Sequence, residues 1–141
     1  GGFNFFAEKE KILGIYRKRP VVIEARQLTG STAEAHSVYQ WIEQNTLGSF
    51  ESLGVIEGRK PYPESGVSID PRDGRLIIST LEGLHWADQG DWIIRGVAGE
   101  FYPIKEAIFS ETYEPVEDTD EEARDSAARK IAAARKIAGE G

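Results

Sequence analysis

The chain has 141 residues, one domain's worth, with 17 Lys plus Arg against 24 Asp plus Glu and a formal net charge of -7. That balance disfavours a sequence-independent nucleic-acid binder, which needs a basic face. The absence of Cys excludes disulfides, thiolate zinc sites, cysteine-ligated iron–sulfur clusters and a thiol nucleophile, and no run approaches the roughly 18–20 apolar residues that cross a bilayer. Met is absent as well and the chain opens Gly1-Gly2, which reads as trimming, a tag remnant or an excised segment. With no signal-peptide pattern at Phe3–Phe6, the cytoplasm is the expected compartment.

From Phe5 to Tyr16, apolar residues at 5, 6, 12, 13 and 16 fit one face of a short helix, which Arg17-Lys18-Arg19-Pro20 brings to an end. Val21–Leu28 reads as a strand with Val21, Ile23 and Ala25 turned to the core. Ser31 and Glu34 have capping-box spacing, and the following helix buries Ala35, Val38, Tyr39 and Ile42, with Trp41 at the edge and Gly48 as a stop. Between Leu47 and Ser65 the pattern dissolves into a long surface loop of the kind that often carries function.

Turn signals at Asp70–Gly74, Glu82-Gly83, Asp88–Gly90 and Gly96–Gly99 then separate short strands at 67–69, 76–81, 84–87, 91–95, 100–102 and 112–114. Lys105–Phe109 is read as one helical turn. The capping box Thr119/Glu122 opens an Ala-rich helix to Ile137, whose thin stripe is Ala123, Ala127, Ile131, Ala134 and Ala138. The expected fold is α+β: a small curled antiparallel sheet with one packed helix and a C-terminal helical extension. Its segments are 1–19 (helical), 20–116 (core domain) and 117–141 (extension).

The stretch from Trp86 to Lys105 concentrates aromatic and cationic residues. Trp86, Trp92 and Tyr102 have the character of a stacking pocket for a planar ligand, and Arg95 and Lys105 that of charge-assisted contacts to an anionic group. The competing reading makes Trp92 and Ile94 core residues of one strand face, with the glycines serving tight turns. Glu82, His85, Asp88 and Asp91 carry metal-ligating groups, but at a spacing that ordinary turn chemistry explains, so no metal is assigned. His36 falls on an exposed helix position. Arg17-Lys18-Arg19 and Arg59-Lys60 read as solvated surface or an anion contact. No phosphate-binding loop or dinucleotide fingerprint occurs, so no cofactor is expected.

Two segments carry a resemblance: Tyr16–Gln27, and Gly90–Pro103 continuing through Tyr113-Glu114. Together they resemble a family of small bacteriophage and prophage proteins in which a "YRKKPVVIEA" opening precedes a "GDWIIKGVxGEFYPCKPDIFxxTYE" ending. The match spans about a quarter of the chain and implies a phage context, with no particular reaction. This sequence departs at Ile104, where the family commonly has Cys, and at Glu106-Ala107, where it commonly has Pro-Asp. The insert before Val67 and everything after Pro115 lie outside it.

The resulting expectation is a non-enzymatic phage protein in the host cytoplasm that acts on a host protein or sequesters a small, nucleotide-like anion, with no membrane and no nucleic-acid partner. The alternative is a minor virion or assembly component whose terminal helices make homo-oligomer contacts. A hydrolase or transferase built on His85 and nearby carboxylates is a third reading.

Overall fold

The computed structural model describes residues 14–117 and, further on, positions 121, 124, 125, 128, 129 and 132. The elements run β1 (Glu24–Gln27), α1 (Thr32–Gln44), α2 (Ser52–Ile56), β2 (Gly66–Ile69), β3 (Leu76–Thr80), β4 (Gly83–Ala87), β5 (Trp92–Arg95), β6 (Phe101–Ile104) and α3 (Glu106–Thr112). The class is α+β, with two three-stranded antiparallel sheets and no closed barrel. One sheet has the order β1-β5-β6 and the other β2-β3-β4.

The single curled sheet read from the sequence is therefore two sheets, and the corner at Asp88–Asp91 is the reason. Asp91 Oδ2 accepts from the Asp88 amide at 2.9 Å, and Gly90 sits at φ 91°. Leu28 clasps this turn from both sides, its amide donating to the Asp91 carbonyl at 2.9 Å and its carbonyl accepting from the Gly90 amide at 2.7 Å. The chain is thereby turned out of the β2-β3-β4 ladder, and β5 pairs with β1 (Glu24↔Arg95 to Gln27↔Trp92) instead of with β4.

Helix α1 follows the expected capping, with Ser31 Oγ accepting from the Glu34 amide at 3.3 Å. Val38, Trp41 and Ile42 are buried and join Leu28, Val67, Leu76, Ile78, Ala87, Ile93 and Phe101 in one core shared by both sheets. Trp41 meets the Phe101 ring edge-on, at 5.0 Å and 89°. Each fully buried aliphatic side chain here contributes about 1.5–3 kcal/mol; Val38, Ile42, Val67, Ile78 and Ile93 are all at 0% exposure.

Three local expectations change. The first strand begins at Glu24, and Val21 is at the exposed limit instead of facing the core. Inside the expected 47–65 loop lies α2, capped by Glu51, whose carboxylate accepts from the Gly54 amide at 3.1 Å. Hydrogen bonds from Ser52 Oγ to the Ile69 carbonyl and from Ser68 Oγ to the Phe50 carbonyl bind this segment to β2. Gly66 permits the approach, since a Cβ there would stand 2.7 Å from the Gly48 carbonyl. The 112–114 strand does not form: Thr112 ends α3, and Tyr113 leaves it in extended geometry. Phe109 of α3 lies flat on Trp92, 4.0 Å away and 8° from parallel.

The N-terminal helix read over Phe5–Tyr16 falls mostly outside the described residues, and 14–16 are not helical. The six described positions from 121 to 132 are helical and exposed; the Ala123-to-Ala138 stripe falls outside the described residues. No helix among the described residues is long and apolar enough to cross a membrane.

Candidate functional site

The five residues singled out in the sequence are dispersed by the two-sheet topology. Trp86 belongs to β4, and its Nε1 donates to Asp70 Oδ2 at 2.8 Å. Asp70 is fully buried and also accepts from the Arg72 amide (2.9 Å), Nε (3.0 Å) and Nη2 (2.9 Å). Arg72 above all holds this carboxyl well below the usual range. Trp86 thus helps fasten the Asp70–Arg75 turn.

On the other sheet, residue parity divides the remaining candidates. Trp92 and Tyr102 occupy one face, where Trp92 stands opposite Ile104 and Ile94 opposite Tyr102; Arg95 lies on the other face, paired with Phe101. Trp92 is covered by Phe109. Burial first, then hydrogen bonding to Tyr113, pushes the Tyr102 phenol above its ordinary value. Arg95 is 5% exposed, with its guanidinium 5.4 Å from the Phe101 ring centroid and 3.9 Å from Glu24, and its Nε has no partner. Lys105 contacts Asp88 at 2.8 Å and Asp91 at 3.0 Å, and these two carboxylates, Asp88 first, raise its pKa. The cations proposed for an anionic ligand are accordingly either inside the core or already paired.

What the fold does assemble is a cleft of about 640 Å³, within the range that holds small organic ligands. It opens where the end of α1, the close of the 47–65 segment, the β3–β4 turn and the β5–β6 hairpin meet. Phe101 and Tyr102 form its aromatic wall; Asn45, Ser65 and Thr80 supply polar groups, and His85 supplies an imidazole. Its acidic side chains are Glu64, Glu82 and Glu100, and among the described residues no Lys or Arg lines it. Among the described residues none of these three is in an ion pair. Asn45 Oδ1 is a buried acceptor without a partner, while its Nδ2 donates to the Trp41 carbonyl at 2.8 Å.

His85 Nε2 lies 2.9 Å from Thr80 Oγ1, a separation that also suits a nucleophile and its base. The Thr80 hydroxyl, however, accepts from the Glu82 amide at 3.1 Å and lies 3.4 Å from the Gly83 carbonyl, so it closes the β3–β4 turn. The four candidate metal-ligating residues do not converge: His85 turns to Thr80, whereas Asp88 and Asp91 share Lys105. No group of three or more His, Asp or Glu among the described residues could hold a metal ion.

Of the five ligand candidates only Tyr102 lines this cleft, joined there by Glu82 and His85 from the metal and hydrolase readings. Asn45, Glu64, Ser65 and Glu100 escaped sequence reading because they come from three separate stretches of chain. The one usable signal was the 47–65 segment, flagged as a functional loop, which ends in Glu64 and Ser65. No protein-family model, no curated protein and no solved structure matches this chain.

Proposed function

We propose that the protein is a phage-encoded binding protein that holds a small organic ligand without converting it. The observation carrying this reading is the 640 Å³ cleft, with Phe101 and Tyr102 on one wall, polar side chains around it and three carboxylates that are in no ion pair among the described residues, of which Glu100 accepts from the Ala98 amide at 3.0 Å. The chemistry favours a neutral or cationic ligand rich in hydrogen-bond donors. Carboxylates and the Asn45 carbonyl oxygen accept hydrogen bonds, and aromatic faces attract cations. An anion would meet like charge there. The nucleotide-like ligand expected from the Trp86–Lys105 stretch would instead have to draw Lys105 away from Asp88 and Asp91. The phage context rests on the resemblance of Tyr16–Gln27 and Gly90–Glu114.

Native mass spectrometry of the purified protein, alone and after incubation with a bacterial extract, tests the proposal. The expected result is a discrete low-mass adduct that disappears in Ala98→Trp, which fills the cleft from its exposed hairpin lip, while the variant keeps its melting temperature. Absence of any adduct, or an adduct that survives Ala98→Trp, overturns it.

A further inference from the structure

A second concavity, separate from the cleft, runs between α1 and the turn-proximal end of the β2-β3-β4 sheet, with a volume of about 680 Å³. Its floor is apolar: Leu28, Leu76 and Ala87 are buried, and Ile69 beside them remains 43% exposed. Its rim carries Glu43, Asp73 and Asp88; Arg75 bridges Asp73 at 2.8 Å and Asp88 at 3.5 Å, and Lys105 contacts Asp88 at 2.8 Å, which leaves Glu43 in no ion pair among the described residues. Two cations among three carboxylates leave the rim negative at Glu43, so an occupant needs apolar side chains for the floor and positive charge for that part of the rim.

The same chain carries such a segment. Ile15 and Tyr16 are 88% and 93% exposed, and they are followed directly by Arg17, Lys18 and Arg19, all exposed. Two large apolar side chains held out in water beside three cations are complementary in both respects to the groove. This arm joins the body ahead of β1, while the groove begins at Leu28, just past the end of β1. The strand thus separates the arm from its own groove, which favours docking in trans.

We propose that the Ile15–Arg19 arm docks in the α1/β2-β3-β4 groove of a second copy of this chain, the exchange being reciprocal so that a two-fold dimer closes. Tyr16 is the anchor over Ile69, since a buried tyrosine is among the commonest sources of interface energy, and the arginines face Glu43 and its acidic neighbours. The dimer leaves the ligand cleft free, because groove and cleft share no residue.

Light scattering coupled to size exclusion of the full chain, over a range of concentrations and NaCl, tests this. The expected mass is twice 15.6 kDa, falling toward one chain in high salt, in Tyr16→Ser and in Ile69→Lys, each with an unchanged circular-dichroism melt. An Arg17→Glu/Arg19→Glu variant and a Glu43→Lys variant should each dissociate at least tenfold more readily alone. Mixed, they should recover a dimer, because the altered arm then meets the oppositely altered groove while the unaltered arm meets the unaltered groove. A monomer at every concentration overturns the proposal. So does an oligomer that persists in Tyr16→Ser, or one broken by Tyr16→Ser but indifferent to Ile69→Lys and to mixing of the charge variants.

Discussion

Replacing Phe101 probes the core and the cleft wall at once. The ring is 2% exposed, meets Trp41 edge-on at 5.0 Å and lies beneath the Arg95 guanidinium at 5.4 Å. Phe101→Ala removes the ring and leaves a cavity that its neighbours only partly refill, a change that costs about 3–5 kcal/mol. Phe101→Leu keeps most of the apolar area and loses the ring-specific contacts. Those are the edge contact, about 0.5–1.5 kcal/mol, and the cation–aromatic contact, about 0.5–2 kcal/mol, so this variant should lose roughly 1–3.5 kcal/mol. Urea unfolding followed by tryptophan fluorescence measures both, and at a slope of about 1–3 kcal/mol/M the midpoint of Phe101→Ala should fall by at least about 1 M. If Phe101→Ala loses less than about 1 kcal/mol, the placement of this ring at the junction of both sheets is wrong. If Phe101→Leu matches the parent, Trp41 and Arg95 gain nothing from the ring's aromaticity.

Two further outcomes are expected. The pKa of Asp70 is depressed in the folded protein, mainly by Arg72, so its contribution to stability is present above the unfolded carboxylate pKa near 3.8 and is lost as pH falls through the lower folded value. Asp70→Asn should therefore flatten the acid limb of the melting-temperature profile below about pH 4, and an acid limb identical to the parent's would show that Asp70 is not held this way. Arg95→Met exchanges a buried charge, with an unpartnered Nε and a carboxylate 3.9 Å away, for an apolar side chain of similar reach. Its stability in urea should match or exceed the parent's by up to about 2 kcal/mol, and a loss above 2 kcal/mol would make the Glu24 pair a stabilising contact.

Local chemistry was legible in the sequence where neighbours in the chain determine it. The Ser31/Glu34 spacing located the start of α1, and alternating apolar residues placed β2 through β6 to within about two residues. Topology was not legible, because Asp88-Gln89-Gly90 is as good a hairpin turn as it is a corner. What selects the corner is Leu28, far away in sequence, bonding to both sides of the turn. Thr112-Tyr113-Glu114 misled through strand propensity, which the docking of Phe109 on Trp92 overrides by extending α3 to Thr112. The Trp86–Lys105 stretch drew attention for its composition, yet alternation along β5 and β6 sends adjacent members to opposite faces.

Among the described residues three charged side chains lie buried, and they are not equivalent. The Asp70 carboxylate has four hydrogen bonds that fasten the β2–β3 turn, and that of Asp91 has both the Asp88 amide and Lys105 at the corner that sets strand order. Arg95 has one carboxylate at 3.9 Å, an aromatic face and an unpartnered Nε. Packing does not require a cation at that point of β5, since β1 and β6 would close on an aliphatic residue equally well. Arg95 adjoins Phe101, which is also a wall of the cleft, and Asn45 on that cleft has a buried acceptor without a partner. Of the three buried side-chain polar atoms without a partner among the described residues, Asn45 Oδ1 lies on the cleft and Arg95 Nε beside its wall residue Phe101, while Trp92 Nε1 belongs to the opposite face of β5. The ligand proposed for the cleft would sit against this wall.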